Sequence, residues 1–269
     1  MRKKLLLCSV LLVAALLVVT TTPHDARADD EGDLAKKSQN PIGDIISLPF
    51  VSKFAFGAGE EDAFSYTLEL KPVYPVKIGS VNMINRLIVP IVYQEEMTDG
   101  LGDEFGLGDI TYQAFFSPAD GGDVTWGLGP AFILPTNTDD KLGNDKLSMG
   151  PAFVALAKPG NWLYGGLVQH FWDVAGDSDA AHVNVTSAQI FLNYNFPDFY
   201  LTTSPTFQYN WYGDSGEKWT VPLGGGIGKL VMFGKLPVDF KLTAYYNVEA
   251  PDNAPDWYTE FQVKFLFPK

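Results

Sequence analysis

The sequence has 269 residues, 46% of them hydrophobic and 14% aromatic, yet its formal net charge is −13. So acidic a chain repels nucleic acid, and nucleic-acid binding is excluded first. Its one cysteine, Cys8, lies in the N-terminal leader, which leaves no disulfide or thiol chemistry for the rest of the chain.

In chain order, the first element is that leader. Arg2, Lys3 and Lys4 precede an apolar run over 5–19, and Ala26-Arg27-Ala28 supplies a small-x-small cleavage site before Asp29. We read residues 1–28 as a secretory signal peptide. Leu7 stands before Cys8 where a lipoprotein signal needs a small residue, so no lipid anchor is expected. Removing the leader takes away Arg2, Lys3, Lys4 and Arg27 but only one acid, Asp25, and moves the net charge from −13 to −16. No apolar run of about eighteen residues remains, which excludes a transmembrane helix. High acidity and high hydrophobicity then coexist only if they are segregated in space.

Residues 29–50 begin polar and end in Ser47-Leu48-Pro49-Phe50; they form a short extension, placed in the periplasm or the lumen. From there to the C-terminus, over 51–269, twelve strand-like segments follow: 51–57, 64–74, 82–93, 107–117, 124–134, 147–157, 162–172, 186–196, 199–210, 219–229, 237–247 and 257–267. The last alternates most cleanly. Trp257, Phe261, Val263, Phe265 and Phe267 share one face, and Tyr258, Glu260, Gln262 and Lys264 the other. Side chains alternate across a strand with period two, so this is a ribbon with one apolar and one charged face. In 237–247, Val238, Phe240, Leu242, Ala244 and Tyr246 oppose Asp239, Lys241, Thr243 and Asn247. The segments 186–196 and 199–210 divide in the same way.

The connections are sorted as well. Long acidic loops (94–106, 135–146, 173–185, 211–218, 248–256) tend to alternate with short turns (76–80, 118–123, 158–161, 196–199, 231–236). An even number of antiparallel strands with short turns at one end and long loops at the other is the build of an outer-membrane barrel. Lipid offers backbone groups no hydrogen bonds, so a spanning sheet must close on itself. Trp126, Trp162, Trp211, Trp219 and Trp257 fall near strand ends, where interfacial girdles need them. The expected fold is all-β: a twelve-stranded, up-and-down transmembrane barrel with both termini periplasmic.

Several stretches resemble a known family. They are Leu34-Ala35-Lys36, Gln39-Asn40-Pro41-Ile42, Ile46-Ser47-Leu48-Pro49-Phe50, Gly106-Leu107-Gly108-Asp109-Ile110, Trp126-Gly127-Leu128-Gly129-Pro130, Ala175-Gly176-Asp177-Ser178-Asp179, Trp219-Thr220-Val221-Pro222-Leu223-Gly224-Gly225-Gly226 and the ending Phe265-Leu266-Phe267-Pro268-Lys269. The resemblance is to the outer-membrane barrel family named for the MetA pathway of phenol degradation, and it covers nearly the whole mature chain. It implies a transporter in the outer membrane, and the family's name alone implies hydrophobic or aromatic solutes. The expected partners are outer-membrane lipid, a small solute and the barrel-assembly machinery. Pro268 and Lys269 follow Phe267, where many such barrels end on a bare aromatic residue.

Enzyme chemistry finds little support. Gly213-Asp214-Ser215-Gly216 imitates a serine-protease nucleophile, but the mature chain has only His170 and His182 as bases, and turn chemistry explains the tetrapeptide. A lipid hydrolase with His170 as base on the outer wall is the remaining enzyme reading. Gly224 to Lys229 imitates a phosphate loop without its spacing. The acidic clusters Asp99/Asp103/Glu104, Asp139/Asp140 and Asp177/Asp179 lack a calcium-loop pattern. We therefore expect no catalytic residue, no metal and no cofactor.

What remains is the inward face. Glu69, Lys71, Arg86, Asp109, Asp239, Lys241, Glu260 and Lys264 are the residues expected to line the lumen. Charges of both signs suit either a selective pore or a salt-bridged plug. The alternatives are a channel for small solutes and a structural or surface-interaction barrel with a blocked lumen. Twelve strands fall between the filled and the open barrels, so strand number does not separate them.

Overall fold

The computed structural model describes residues 28–96, 102–120 and 122–268. Residues 1–27 of the predicted signal peptide, Asp99 of the first acidic cluster and Lys269 lie outside the described residues. A helix, α1 (Ala28–Ser38), leads into the strands β1 (Ile46–Ala58), β2 (Ala63–Leu70), β3 (Val73–Ile78), β4 (Val81–Gln94), β5 (Glu104–Leu107), β6 (Ile110–Pro118), β7 (Val124–Leu134), β8 (Lys146–Ala157), β9 (Trp162–Gly176), β10 (Asn184–Asn195), β11 (Tyr200–Thr203), β12 (Thr206–Asn210), β13 (Trp219–Phe233), β14 (Leu236–Glu249) and β15 (Trp257–Phe267). The pairs β2/β3, β5/β6 and β11/β12 are each one wall strand with a break, so the described wall has twelve antiparallel strands. The first pairs with the last, from Ile46↔Phe267 to Phe56↔Trp257, and this ladder closes the barrel. All twelve predicted segments are strands.

The reason is the alternation already present in the sequence, now visible as burial. Along β15, Tyr258, Gln262 and Leu266 are buried while Trp257 and Phe267 are exposed. Along β10, Ser187, Phe191, Asn193 and Asn195 are buried while Ile190 and Leu192 are exposed. The outer wall carries Leu128, Phe153, Val168, Ile190, Leu192, Leu201, Leu223, Ile227 and Leu242, all exposed. Such a surface is stable in hydrocarbon and unstable in water.

Among the described residues, one end has tight turns at 79–80, 158–161, 196–199 and 234–235; the other has the longer loops at 135–145, 177–183, 211–218 and 250–256. The first connection at that second end, 59–62, is short. Gly79 and Gly234 take positive φ (61° and 63°) in the two tightest turns, a conformation that glycine adopts without steric cost.

Two aromatic bands mark the interfaces. Near the short turns, Trp162–Tyr194, Tyr194–Phe196 and Phe196–Phe199 each meet at 4.7 Å. Near the long loops, Phe56 stacks on Trp257 at 4.4 Å and Tyr209 meets Trp219 at 4.7 Å. Their amphipathic rings suit the headgroup region.

One seam is incomplete. Ladder pairs join β11 to β13 from Tyr200↔Gly228 to Thr202↔Gly226, and β12 to β13 at Gln208↔Thr220 and Tyr209↔Trp219. Between them 203–207 and 221–225 form no ladder pair with one another, although each stretch pairs with its other neighbour. Pro205 and Pro222 have no N–H to give, and the Thr203 hydroxyl bridges the gap to the Gly224 carbonyl at 2.7 Å.

Candidate channel lumen

The interior has two halves. Inward residues of β4 and β6 to β10 (Ile84, Phe115, Ala131, Ala152, Val154, Leu156, Leu163, Leu167, Phe171 and Phe191) pack against one another as an apolar core. Beside that core a polar cavity of about 560 Å³ remains. Its lining runs from Gln39, Asn40 and Pro41 at the short-turn end to Ala254 and Pro255 in the loop at the other end.

The cavity wall is divided by chemistry. β1, β2, β4, β14 and β15, with Lys71 just past β2, supply Lys53, Glu69, Lys71, Arg86, Asp239, Lys241, Glu260 and Lys264. β9 to β12 supply Gln169, Ser187, Gln189, Asn193, Thr202, Ser204, Thr206 and Gln208, and β6 adds Gln113. One side therefore carries ions and the facing side neutral donors and acceptors. Five cations stand against three anions in that lining, although the protein as a whole is acidic.

Of the eight residues named from the sequence, Glu69, Lys71, Arg86, Asp239, Lys241, Glu260 and Lys264 border this cavity. Asp109 is elsewhere. It sits in the break between β5 and β6, where its Oδ1 accepts from the backbone N–H of Thr136 (3.2 Å) and Asn137 (3.3 Å) and its Oδ2 from that of Asn144 (2.9 Å). The break suspends strand parity, so alternation says nothing about which way this side chain points. Its role is to hold the 135–145 loop. Asp109→Ala is expected to speed amide exchange over 136–144 about tenfold, equivalent to about 1.4 kcal/mol. Exchange at the wild-type rate would show that the loop holds itself. Lys53, absent from the expected set, faces the cavity with its Nζ 4.1 Å from the centroid of the Tyr258 ring. Its only sequence signal was the outward parity of Phe54 and Phe56.

The N-terminal segment enters this space. Ser38 is buried; its hydroxyl donates to Asp239 Oδ2 at 3.3 Å, and its carbonyl accepts from Lys264 Nζ at 2.7 Å. Gln39 and Asn195 exchange amide hydrogen bonds at 2.7 and 3.3 Å. Ile42 joins the apolar core. A five-residue stretch, 38–42, thus lies across the lumen at the short-turn end, held on three sides. Asp239 receives a further partner, the Tyr200 hydroxyl at 2.9 and 3.1 Å. The Tyr200 ring lies over Gly228, where a Cβ would collide with it. That packing is what the glycine run in β13 serves at this position. Glu69 pairs with Lys71.

The candidate base His170 is on the lipid side, against Trp172 at 4.0 Å, with Nδ1 2.8 Å from the Thr186 hydroxyl. That hydroxyl accepts from Trp211 Nε1 at 2.9 Å, and His170 Nε2 is buried without a partner. Among the described residues no carboxylate orients this ring, so the group sits in the upper aromatic band as an interfacial cluster. The Asp177/Asp179 loop closes on itself through an Asp179 N–H to Asp177 Oδ1 bond of 2.9 Å.

Against this geometry the comparisons can be placed. A family model described as "Putative MetA-pathway of phenol degradation" matches residues 50–267. No curated protein matches the sequence. Among solved structures, the COG4313 outer membrane channel from Pseudomonas putida F1 is 16% identical, with a TM-score of 0.65, over 85% of this chain and 97% of that one. The NanC porin is 10% identical, with a TM-score of 0.50, over 82% of this chain and 100% of that one. Likeness at such identities concerns the fold alone.

Proposed function

The chain belongs to the outer-membrane barrel family of the MetA pathway of phenol degradation, and from that membership we propose that it is a passive channel for small solutes in the outer membrane. The observation that carries this reading is the polar cavity of about 560 Å³ beside the apolar core of the closed barrel. A barrel with a purely structural role has no reason to keep ionic and amide side chains in an unfilled space, since buried polar groups cost stability unless they are used. The apolar outer wall places the molecule in lipid.

The width suits small molecules. A cavity of roughly 300–1,000 Å³ accommodates one drug-sized ligand, and the packed half of the interior leaves no room for a broad aqueous pore. Passage is diffusive, past a lumen narrowed at the short-turn end by residues 38–42. Liposome swelling with a graded panel of neutral and charged solutes tests the reading. Swelling should occur for small members of the panel and fall off steeply with size; reconstituted protein that supports none of them removes the channel from consideration. In that event a plugged structural barrel is what remains.

A further inference from the structure

Among the cations of the ionic wall, Arg86 stands apart by a buried nitrogen that meets no acceptor among the described residues. Glu69 is taken by Lys71. Asp239 is taken by Tyr200 and Ser38, and Lys264 by the Ser38 carbonyl. Arg86, from the middle of β4, has its Nη1 buried with no hydrogen-bond partner, and among the described residues it forms no ion pair. Its ladder neighbour on β6 is Gln113, whose Oε1 is likewise buried and unpartnered. Both side chains line the same cavity. Orphaned buried polar atoms are rare, and an orphaned guanidinium is the costliest kind. Arg86 also borders the unfilled space, and among the described residues no protein carboxylate pairs with it there.

We propose that the lumen contains a binding site for the carboxylate of a small organic acid, centred on Arg86. The guanidinium fork matches a carboxylate in two hydrogen bonds, which a point charge cannot do. Lys241, on the same wall and in no ion pair among the described residues, adds attraction. Ile88, Leu167 and Phe191 line the cavity too and give an apolar body something to lie against. The surplus of cations over anions in this lining favours a net negative guest, in a protein whose external loops are acidic. The inference rests on the channel reading and names the solute class for it: an anionic molecule with a polar head and an apolar body.

The probe is sodium benzoate, with benzamide as its uncharged counterpart, titrated calorimetrically into the full chain folded in non-ionic detergent. Benzoate should bind at least about tenfold more tightly than benzamide, as a charge-assisted pair requires. Arg86→Gln should abolish that preference while leaving the weak benzamide heat unchanged, and Arg86→Lys should keep part of it. Equal binding of the two probes by the wild-type chain overturns the proposal, as does an Arg86→Gln variant with wild-type preference. Should Arg86→Gln fail to form a heat-modifiable barrel, Lys241→Gln carries the test, with a loss of at least about threefold in benzoate affinity expected and no change overturning it. Swelling assays on the same preparation separate the two claims. Benzoate binding without solute passage refutes the channel and spares the site; passage without a benzoate preference does the reverse.

Discussion

Deleting residues 29–42 should raise single-channel conductance in planar bilayers by roughly an order of magnitude, because the lumen at the short-turn end is occupied by chain and not by wall. Ser38, Gln39 and Ile42 are the points of attachment, to Asp239 and Lys264, to Asn195 and to the apolar core respectively. None of these contacts belongs to the closing ladder, which begins at Ile46↔Phe267. The truncated barrel therefore keeps its hydrogen-bonded wall. Asp239 and Lys264 are opposite one another on β14 and β15 and can pair directly once Ser38 is gone. Removing Ile42 uncovers part of the core at a cost of about 1.5–3 kcal/mol, which a twelve-stranded barrel tolerates. A truncated protein with wild-type conductance would move the constriction to the packed half of the interior. The milder variant Ser38→Pro, which alters the segment without shortening it, should give an intermediate and noisier current.

The second large effect concerns stability. Gly228→Val should lower unfolding free energy in detergent by about 3 kcal/mol or more, from overpacking and from a broken buried carboxylate contact together. The added side chain must occupy the place of the Tyr200 ring, which is 2% exposed, and push it out of its packed position toward the cavity. Once the ring moves, Asp239, which is 1% exposed, loses the hydroxyl that donates to its carboxylate, and among the described residues Ser38 alone remains to donate to it. Tyr200→Phe isolates the second contribution: the ring stays over Gly228 and only the hydroxyl is lost. It should cost about 1–3 kcal/mol, clearly less than Gly228→Val. Urea midpoints read from the gel shift between folded and unfolded barrel rank the two. If Gly228→Val unfolds where the wild type does, the ring is not locked and the Asp239 cluster holds itself without it.

Much of this architecture could be read from residues. Twelve segments, their antiparallel succession and the sorting of turns from loops follow from alternation and from Gly, Pro and Asp placement. The reason is that a wall between lipid and a polar interior constrains every second side chain, so the pattern repeats in each strand. Seven of the eight named charged side chains border the cavity on the face that this parity gives them. Asp109 did not, because Gly108 and Asp109 interrupt their strand and parity ends where the ladder does.

What the sequence determined by itself was the wall: which side chains face hydrocarbon and which face inward. What only the tertiary structure decided was how the inward ones share the space. That half of them close into an apolar core, that Ser38 reaches Asp239 across the chain, and that Arg86 Nη1 and Gln113 Oε1 are left without partners all depend on the stagger at which the sheet closes. Parity is a local property of one strand, whereas distance across a lumen belongs to the closed ring as a whole.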